Sequence, residues 1–485
     1  MMKKLDPQQK KLLAKIRKSI TCNPFTHERL LADCELTGLS PENAPATILK
    51  QAIRVAETAV KEVYGDQRPP ALSRNGSDRQ LIDGLFLFVI FHRYLDQFDL
   101  HIREQEKHET PVKLACGQEL VRDFAEFGYS KQDTARYIAV FFQMRRAFYF
   151  ISTTLPGNCP CMQELRIRLW NNIFTHDTGL YVDLLWNRME DFSTILTGET
   201  GTGKGVAASA IGRSGYIPFD LKTDTFKESF TRAFLAINLS QIPEQLIESE
   251  LFGHTRGSFT GAIRDHAGIF TRSSKYGAVF LDEIGELSAH IQVKLLRILQ
   301  ERVFTPVGGV TAEKFSGRVI AATNRNISEL RQQGKFRDDF YYRLCSDSIT
   351  IPPLRKRIEE NRNELHLLIS HLLTRITGST QNSLCQEVIN SLQQTLTKTY
   401  AWPGNVRELE QSIRQILLAG AYAPEATQAF TGQNKLAQAF DQGTLSMAEL
   451  AGNYCKHLYA RHGTFQQVAR ITGLDRRTVK KYLER

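Results

Sequence analysis

The sequence predicts a chain of several folded parts: a mostly α-helical N-terminal region, an α/β core and a small all-α C-terminal unit. Three observations support this prediction. Apolar residues in the first part recur mainly at three- and four-residue steps, as on one face of a helix. From about residue 190, short β-rich runs are each followed by a helical run, which is typical of a sheet covered by helices. The chain ends with a short helical segment, a glycine turn and a basic helical segment.

Length and composition agree with a soluble, multidomain chain. At about 150 residues for each domain, 485 residues correspond to about three domains. Hydrophobic residues make up 42% and charged residues 24%, as in ordinary globular proteins. The net charge of +10 permits nucleic-acid binding but does not require it, because dispersed basic charge also serves solubility.

No segment predicts export or a membrane. The N-terminal run MMKKLDPQQKK is polar and lacks the apolar stretch of a signal peptide. The longest apolar run, GLFLFVIF at residues 84–91, is far shorter than the roughly 20 residues that cross a bilayer. We therefore expect a cytoplasmic protein without a membrane partner.

Eight cysteines are scattered along the chain, and only Cys159 and Cys161 are close together. No second pair or histidine cluster stands nearby in the sequence to complete a zinc site. Reduced thiols are therefore the favoured interpretation.

The N-terminal region, residues 1–155, is predicted to be mostly helical and of unknown type. The run ILKQAIRVAETAVKEVY reads as an amphipathic helix, and a polar break rich in Gly, Pro, Ser and Arg follows from Gly65 to Gln80. Two further helical stretches lie around residues 86–98 and 137–151. A metal or ligand site within it is conceivable, but a solvated, charged helix end is favoured. The residues concerned are His92, Asp96, Asp99, His101, Glu104 and His108.

A phosphate-binding loop opens the central region. The loop GETGTGK, ending at Lys204, follows the strand-like run FSTILT and precedes the helix-like run VAASAIG, which is the strand–loop–helix context that such a loop needs. Its backbone N–H groups would surround phosphates, and Lys204 would reach the β- and γ-phosphates of ATP. Gly205 replaces the Ser or Thr whose hydroxyl usually binds Mg²⁺. The predicted loop residues are Gly198, Glu199, Thr200, Gly201, Thr202, Gly203, Lys204, Gly205 and Val206.

A pair of acids ends a second strand-like run, GAVFLDE. Asp282 is placed to hold Mg²⁺, directly or through water, and Glu283 to polarise the attacking water. Together with the loop, this pair predicts a nucleotide-hydrolysing site.

From Gly198 to Leu409 the motifs resemble, in order, the AAA+ domain of bacterial sigma-54-dependent transcription activators, also called enhancer-binding proteins. The segments that carry the resemblance are GETGTGKG, INLSQIPEQLIESELFGHTRGSFTGA, GAVFLDEIGEL, KLLRILQE, VIAATNR, GKFRDDFYYRL, IPPLRKR and WPGNVRELE. GSFTGA is the most specific of them, since other AAA+ proteins lack this insertion. The implied fold class is multidomain, with a mostly α N-terminal domain, an α/β AAA+ P-loop NTPase core with an α-helical lid, and an all-α C-terminal helix-turn-helix.

The resemblance implies roles for further site residues. Asn324 matches the sensor of the γ-phosphate, and Asn238 matches the residue that restrains Glu283. Arg337 and Arg343 match the arginine fingers that a neighbouring subunit offers to the transferring phosphoryl group, without deciding which is the principal one. Arg407, in the lid, closes on nucleotide. The implied catalytic set is Lys204, Asp282, Glu283, Asn238, Arg337 and Arg343.

The chain departs from the family pattern at three places. Gly205 stands where most relatives have Glu, which loosens the first helical turn by about 1 kcal/mol relative to Ala. The connection GRSGYIPFDLKTDTFKESFTR is longer than usual. The N-terminal region matches no receiver or small-molecule-sensing domain of the family.

The GSFTGA segment implies a contact with sigma-54. Its two outer glycines allow a flexible hairpin-like loop, while Phe259 and Thr260 offer an apolar group and a hydroxyl. Ser258 stands where Ala is usual in the family. The predicted contact loop is Gly257, Ser258, Phe259, Thr260, Gly261 and Ala262.

The last residues, 446–485, predict a helix-turn-helix that resembles the Fis type, with a basic helical tail as the alternative. The predicted first helix is lined by Met447, Leu450, Tyr454 and Leu458, and the second by Phe465, Val468 and Ala469. Gly473 makes the turn, and Asp475 is the expected N-cap of the final helix. The residues placed to meet DNA are Arg476, Arg477, Thr478, Lys480 and Lys481.

The predicted domains are the N-terminal regulatory domain 1–155, the α/β ATPase subdomain 160–355, the helical lid 356–425, a linker 426–445 and the DNA-binding domain 446–485. The resemblance implies an ATPase that forms a hexamer or heptamer ring, is a dimer when inactive, binds double-stranded enhancer DNA and remodels the sigma-54 RNA polymerase holoenzyme. Two alternatives stay open: a DNA-binding regulator that works without sigma-54, and an AAA+ chaperone or helicase subunit.

Overall fold

The computed structural model describes five stretches of the chain, residues 5–64, 78–379, 381–397, 400–422 and 446–483. They fall into two compact units, Met1–Gly420 and Ala421–Arg485. The predicted linker 426–445 lies outside the described residues, as does most of the polar break that begins at Gly65. Within the described stretches, no helix has the length and apolar character required to cross a membrane.

A five-stranded parallel sheet forms the centre of the first unit. Its strands are β1 (Thr194–Thr197), β4 (Phe234–Asn238), β5 (Ala278–Asp282), β8 (Arg318–Thr323) and β9 (Asp347–Thr350). They lie in the order β4-β5-β8-β1-β9. Two short antiparallel ribbons pair β2 (Phe219–Asp220) with β3 (Thr225–Phe226), and β6 (Val303–Phe304) with β7 (Glu313–Lys314). The strand-like runs FSTILT and GAVFLDE predicted from the sequence are confirmed as β1 and β5, and the segment VIAATN contributes most of β8.

The inner strands are apolar because helices cover both faces of the sheet. Successive residues therefore point into different cores: Ile195 packs in one and Leu196 in the other. The surrounding helices are α9 (Thr178–Leu180), α10 (Lys204–Gly212), α11 (Glu244–Phe252), α12 (Ile269–Arg272), α13 (Ala289–Glu301), α14 (Ile327–Gln332) and α15 (Asp338–Leu344). Four more follow the sheet: α16 (Leu354–Glu360), α17 (Glu364–Thr377), α18 (Asn382–Thr395) and α19 (Asn405–Ala419).

The described N-terminal residues are mostly helical, as predicted. The helices are α1 (Pro7–Thr21), α2 (His27–Thr37), α3 (Pro45–Tyr64), α4 (Arg79–Arg93), α5 (Leu95–Gln105), α6 (Gly117–Glu126), α7 (Lys131–Thr154) and α8 (Pro160–Phe174). Helix α1 begins with a capping box, in which the Asp6 carboxylate accepts from the N–H of Gln9 and the Gln9 side chain accepts from the N–H of Asp6.

One hydrophobic core joins the N-terminal helices to the sheet. Phe98 and Phe142 of α5 and α7 belong to the same buried cluster as Ala207 of α10 and Ile320 of β8. The predicted domain boundary at residue 155 therefore lies within a shared hydrophobic core. The described residues up to 420 form one compact unit.

The unusually long connection after α10 contributes to this shared core. It forms the β2–β3 ribbon, and Phe226 stacks on Phe142 with ring centroids 4.2 Å apart. Phe230 is also fully buried, and the N–H of Leu114 donates to the carbonyl of Asp224 at 2.8 Å. The extra residues thus dock the N-terminal helices onto the sheet.

The acidic and histidine residues between 92 and 108 do not converge on one site. His101 is buried against Phe142 and Phe226, whereas Asp99 pairs with Arg145. Glu104 pairs instead with its helical neighbours Lys107 and His108. The expectation of a wholly solvated helix end is wrong for His101, because α7 and the β2–β3 ribbon cover it. Among the described residues, this group offers no set of three converging metal ligands.

The described part of the second unit, residues 446–483, contains three helices: α20 (Met447–His462), α21 (Phe465–Thr472) and α22 (Arg476–Leu483). Cys455, Leu458, Val468 and Val479 form its buried core. The predicted lining is wrong for Met447, 79% exposed, and for Tyr454, 51% exposed, because the buried face of α20 runs through Cys455 and Leu458.

Candidate nucleotide site

The phosphate loop leaves the carboxyl end of β1 and leads directly into α10. Gly198, Gly201 and Gly203 have φ values of 144°, 79° and 103°, a backbone region that residues with a Cβ atom rarely adopt. A Cβ atom at Gly201 would also collide with the carbonyl oxygen of Gly404. The glycines thus shape the loop and allow another part of the chain to approach it.

Lys204 lies over the loop it follows. Its Nζ donates to the carbonyl oxygens of Gly198, at 2.9 Å, and Glu199, at 3.2 Å. The side chain is largely buried, and burial lowers the pKa of Lys204, while the nearby carboxylates of Glu283 and Asp282 raise it. An ammonium held among carbonyl groups in this way is available to bind phosphate oxygens.

The acidic pair stands at the carboxyl end of β5. Burial raises the pKa of Asp282, an effect that the positive charges of Lys204 and Arg407 oppose. Glu283 adopts a left-handed backbone conformation, with φ 58°, and its N–H donates to Asp282 Oδ1 at 3.1 Å. The tight turn gives the two adjacent carboxylates different neighbours.

Asn324 connects the loop to the acidic pair. It follows β8, and its Nδ2 donates to Thr200 Oγ1 at 2.9 Å. Its backbone N–H donates to Glu283 Oε2 at 3.2 Å. A residue that touches both groups suits the sensor role expected of it.

Asn238 lies at the end of β4, in register with Asp282 on the neighbouring strand. Its side-chain oxygen accepts from the N–H of Ser240 at 3.0 Å and from the Ser240 hydroxyl at 2.7 Å. In the part of the chain that the structure describes, no hydrogen bond joins Asn238 to Glu283. The restraining contact expected from the sequence is therefore not made in this conformation.

These groups surround a cavity of about 700 Å³, a size typical of small-molecule sites. The predicted residues that line it are Thr200, Gly201, Thr202, Gly203, Lys204, Gly205, Val206, Asn238, Asp282, Glu283, Asn324 and Arg407. Gly198 and Glu199 do not line the cavity. Their carbonyl oxygens accept hydrogen bonds from Lys204 Nζ.

The helices after the sheet clasp the loop through contacts that sequence reasoning missed. Arg355 Nη1 donates to Glu199 Oε2 at 2.8 Å, and Asn405 Nδ2 donates to the carbonyl of Thr200 at 3.1 Å. The N–H of Val406 donates to the carbonyl of Gly201 at 3.1 Å. The sequence offered one signal for these contacts: Asn405 lies two residues before Arg407, the lid residue predicted to close on nucleotide, in WPGNVREL.

Arg375 and Glu410, two lid residues not predicted from the sequence, also line the cavity and pair at 2.6 Å.

The two predicted arginine fingers, Arg337 and Arg343, lie outside the cavity. Arg337 pairs with Asp339 at 2.8 Å, and Arg343 Nε donates to the carbonyl of Leu299 at 3.0 Å. Neither arginine lines the cavity of its own chain.

The donors around the cavity suit a hard cation that keeps several waters. Asp282 and Glu283 supply carboxylate oxygens, which Mg²⁺ prefers. Gly205 has no hydroxyl, and the Thr202 hydroxyl donates to the carbonyl of Glu199 at 2.8 Å. Asp282 and Glu283 would thus be the residues that hold Mg²⁺, and nucleotide phosphates and water would supply its other ligands.

The GSFTGA segment forms a small closed loop away from the cavity. The N–H of Gly257 donates to the carbonyl of Ala262 at 2.8 Å, and the N–H of Ala262 donates to the carbonyl of Phe259 at 3.0 Å. Gly257 and Gly261 both have positive φ, 81° and 101°. These bonds tie the base of the loop while its tip projects.

The tip presents Phe259 and Thr260 to solvent. Phe259 is 38% exposed, and its ring meets His254 edge-on at 4.9 Å. The Ser258 hydroxyl is buried beside Gly308 and has no hydrogen-bond partner among the described residues. Exposed Phe259 and Thr260 are therefore available to another protein, whereas Ser258 faces inward.

The final helix of the second unit carries exposed basic side chains. Asp475 caps it, accepting from the N–H groups of Arg477 at 2.9 Å and Thr478 at 3.0 Å, as predicted. Val479 turns into the core. The basic residues that stay exposed on this helix are Arg476, Arg477, Lys480 and Lys481.

Comparison with known proteins matches two parts of the chain to families: residues 185–350 to the sigma-54 interaction domain and residues 359–427 to the AAA+ ATPase lid domain. The DNA-binding transcriptional regulator NtrC of Azospirillum brasilense is 42% identical over 237 residues, 48% of this chain and 44% of the relative. The transcriptional regulatory protein GlrR of Escherichia coli (strain K12) is 36% identical over 300 residues, 61% of this chain and 63% of the relative.

The DNA-binding transcriptional regulator NtrC of Bradyrhizobium sp. (strain RP501 Parasponia) is 35% identical over 338 residues, 68% of this chain and 62% of the relative. The chain thus spans 44% to 63% of the lengths of these three relatives.

A parallel sheet with a phosphate loop at the end of β1, clasped by a helical lid, defines an AAA+ ATPase domain. More particularly, residues 185–350 of this chain match the sigma-54 interaction domain.

Proposed function

We propose that this protein is a sigma-54-dependent transcription regulator. It binds enhancer DNA and uses ATP hydrolysis to remodel the closed complex of sigma-54 RNA polymerase into an open complex, in the cytoplasm. The observation that carries the proposal is the GSFTGA loop, which exposes Phe259 and Thr260 on a domain that also holds a nucleotide site. The loop does not line the nucleotide cavity and is therefore free to contact a partner.

The site residues divide the chemistry of hydrolysis among them. Lys204 would bind the β- and γ-phosphates, and Asp282 would hold Mg²⁺, which would supply positive charge to neutralise the phosphates. Glu283 orients and polarises the attacking water. Asn324, bonded to both Thr200 and Glu283, relays the state of the γ-phosphate to the acidic pair.

The position of the two candidate fingers favours a self-assembled ring. Arg337 and Arg343 do not line their own chain's cavity. A guanidinium from a neighbouring subunit would complete the site by stabilising charge on the transferring phosphoryl group. Hydrolysis would then require a hexamer or heptamer, and a dimer would be inactive.

The second unit is proposed to hold the protein on double-stranded DNA as a helix-turn-helix. Helix α22 would enter the major groove, where Arg476, Arg477, Lys480 and Lys481 meet phosphates and base edges, with Thr478 beside them. Its fixed N-terminus at Asp475 orients these side chains.

Transcription from a sigma-54-dependent promoter, measured alongside ATP hydrolysis, tests the proposal. Thr260→Ala should keep hydrolysis and abolish transcription, because it alters the exposed tip alone. Ser258→Ala is the matched control and should keep both activities, because it removes a buried hydroxyl without a described partner. If transcription survived Thr260→Ala, the loop would not make the contact with sigma-54 that the proposal requires.

A further inference from the structure

Two thiols and a carboxylate meet beside the nucleotide site, outside its chemistry. Cys159 and Cys161 bracket the start of α8, and their Sγ atoms are 3.5 Å apart. Glu360, the last residue of α16, lies against them, and one ligand atom from each residue falls within 4.8 Å of the other two. We propose that Cys159, Cys161 and Glu360 bind a zinc ion.

The spacing of these atoms suits the ion. With Zn–S bonds of about 2.3 Å and Zn–O bonds of about 2.1 Å, ligand atoms of a tetrahedral site lie roughly 3.5 Å apart. Pro160 begins the helix between the two cysteines, and Cys159 has extended backbone angles, so both thiols face one side. The N–H of Cys161 donates to Glu360 Oε2 at 2.7 Å, which holds the carboxylate beside the thiols.

The mixture of donors favours zinc over other metals. Thiolates suit zinc and copper(I), whereas a carboxylate is a hard ligand that suits zinc better than copper(I). Magnesium and calcium prefer oxygen donors only. Three protein ligands leave one position for water, so the ion would be exchangeable.

Binding displaces protons, because zinc takes thiolates rather than thiols as ligands. One Zn²⁺ would replace two thiol protons, which pass to solvent, and the Glu360 carboxylate would supply the third ligand.

The site would join two walls of the nucleotide cavity. Met162 and Leu165 of α8 line that cavity, as does Arg357 of α16. Among the described residues, Glu360 otherwise forms an ion pair with Lys356 alone, 4.0 Å away. Zinc would restrain α16 against α8 and thereby alter nucleotide affinity.

Zinc titration of the complete, reduced protein against a competing chromogenic chelator tests the proposal. Wild type should bind one zinc ion per chain. Cys161→Ser and Glu360→Gln should each weaken binding by more than about tenfold. Cys385→Ser changes a buried lid thiol outside the site and should bind as wild type does.

Cobalt(II) provides a second readout, because thiolate ligands give a charge-transfer band. The band should appear in wild type and in Cys385→Ser, and weaken in Cys161→Ser. Circular dichroism confirms that each variant is folded. No zinc binding by reduced wild type, or equal binding by wild type and Cys161→Ser, would overturn the proposal, as would cobalt bound without the band.

Discussion

Arg146 donates a hydrogen bond to the carbonyl oxygen of Gly215 at 2.7 Å, linking α7 to the segment that ends the phosphate-loop helix. The same guanidinium donates to the carbonyl of Arg213 at 2.9 Å, and Gln143 Nε2 donates to that of Ser214 at 2.9 Å. Arg146 is fully buried, and burial lowers its pKa to about 9. Helix α7 thus caps the C-terminal end of α10, the helix that begins at Lys204.

Replacing Arg146 with Met should destabilise the protein. The change leaves the partly buried carbonyls of Arg213 and Gly215 without these donors, at a cost of up to about 1–3 kcal/mol for each. Urea unfolding measures the effect. Arg145→Met, which removes the partly exposed ion pair with Asp99 and the guanidinium over the Phe148 ring, should cost about 1 kcal/mol or less. Equal losses in the two variants would contradict the capping role.

Removing residues 1–155 should expose the shared core. Phe142 would be lost from its stack with Phe226, and Phe230 would lose its aromatic neighbours Phe142 and Phe150. We expect residues 156–485 to aggregate or to unfold well below the melting temperature of the whole chain. Light scattering and calorimetry check this; a soluble fragment with an unchanged melting temperature would show that the two regions are independent.

Two glycines of the phosphate loop should respond oppositely to alanine. Gly201→Ala should weaken nucleotide binding, because φ is positive there and the new methyl group collides with the Gly404 carbonyl. Gly205→Ala should stabilise by about 0.5–1 kcal/mol and keep binding, since its nearest neighbour is Phe280 Cε1 at 3.8 Å. Fluorescent-nucleotide titration and thermal unfolding measure both effects. Comparable loss of binding in the two variants would contradict this account.

Mixing two inactive variants tests whether an arginine acts between subunits. Glu283→Gln should bind ATP but hydrolyse it about 10² to 10⁴ times more slowly, because the water loses its base. Arg337→Ala or Arg343→Ala should also be slow. A mixture of Glu283→Gln with an arginine variant should regain hydrolysis, measured as phosphate release, because some interfaces combine an intact Glu283 with an intact arginine. If Glu283→Gln regained no hydrolysis when mixed with either arginine variant, the arginines would not act between subunits.

Local patterns predicted the nucleotide site because its main groups lie at strand ends or in the loop that follows one. Asp282 ends β5, Asn324 follows β8 and Lys204 ends the loop after β1, and parallel strands bring these ends to one edge. Glu199 and Arg355 are 156 positions apart, and no local pattern pairs them. Asn238 was expected at Glu283, but Ser240, two residues away, competes for its side chain.

The N-terminal region was predictable as helices but not in its packing. In α7 the consecutive residues from Ile138 to Phe142 are all buried, so its apolar surface exceeds one face and requires a second partner. That partner includes Phe226, on the ribbon of the long connection. Cys161 and Glu360 are likewise 199 positions apart and meet only in the folded chain.

Promoter melting by purified components tests the central claim most directly. Reactive thymines in a sigma-54-dependent promoter would be mapped with permanganate, using the complete protein, sigma-54 polymerase and an enhancer-bearing template. We predict melting with ATP and none with a non-hydrolysable analogue, none with Thr260→Ala and none when sigma-54 is omitted. Melting that proceeds without hydrolysis or with Thr260→Ala, or its absence from the complete wild-type reaction, would contradict the account.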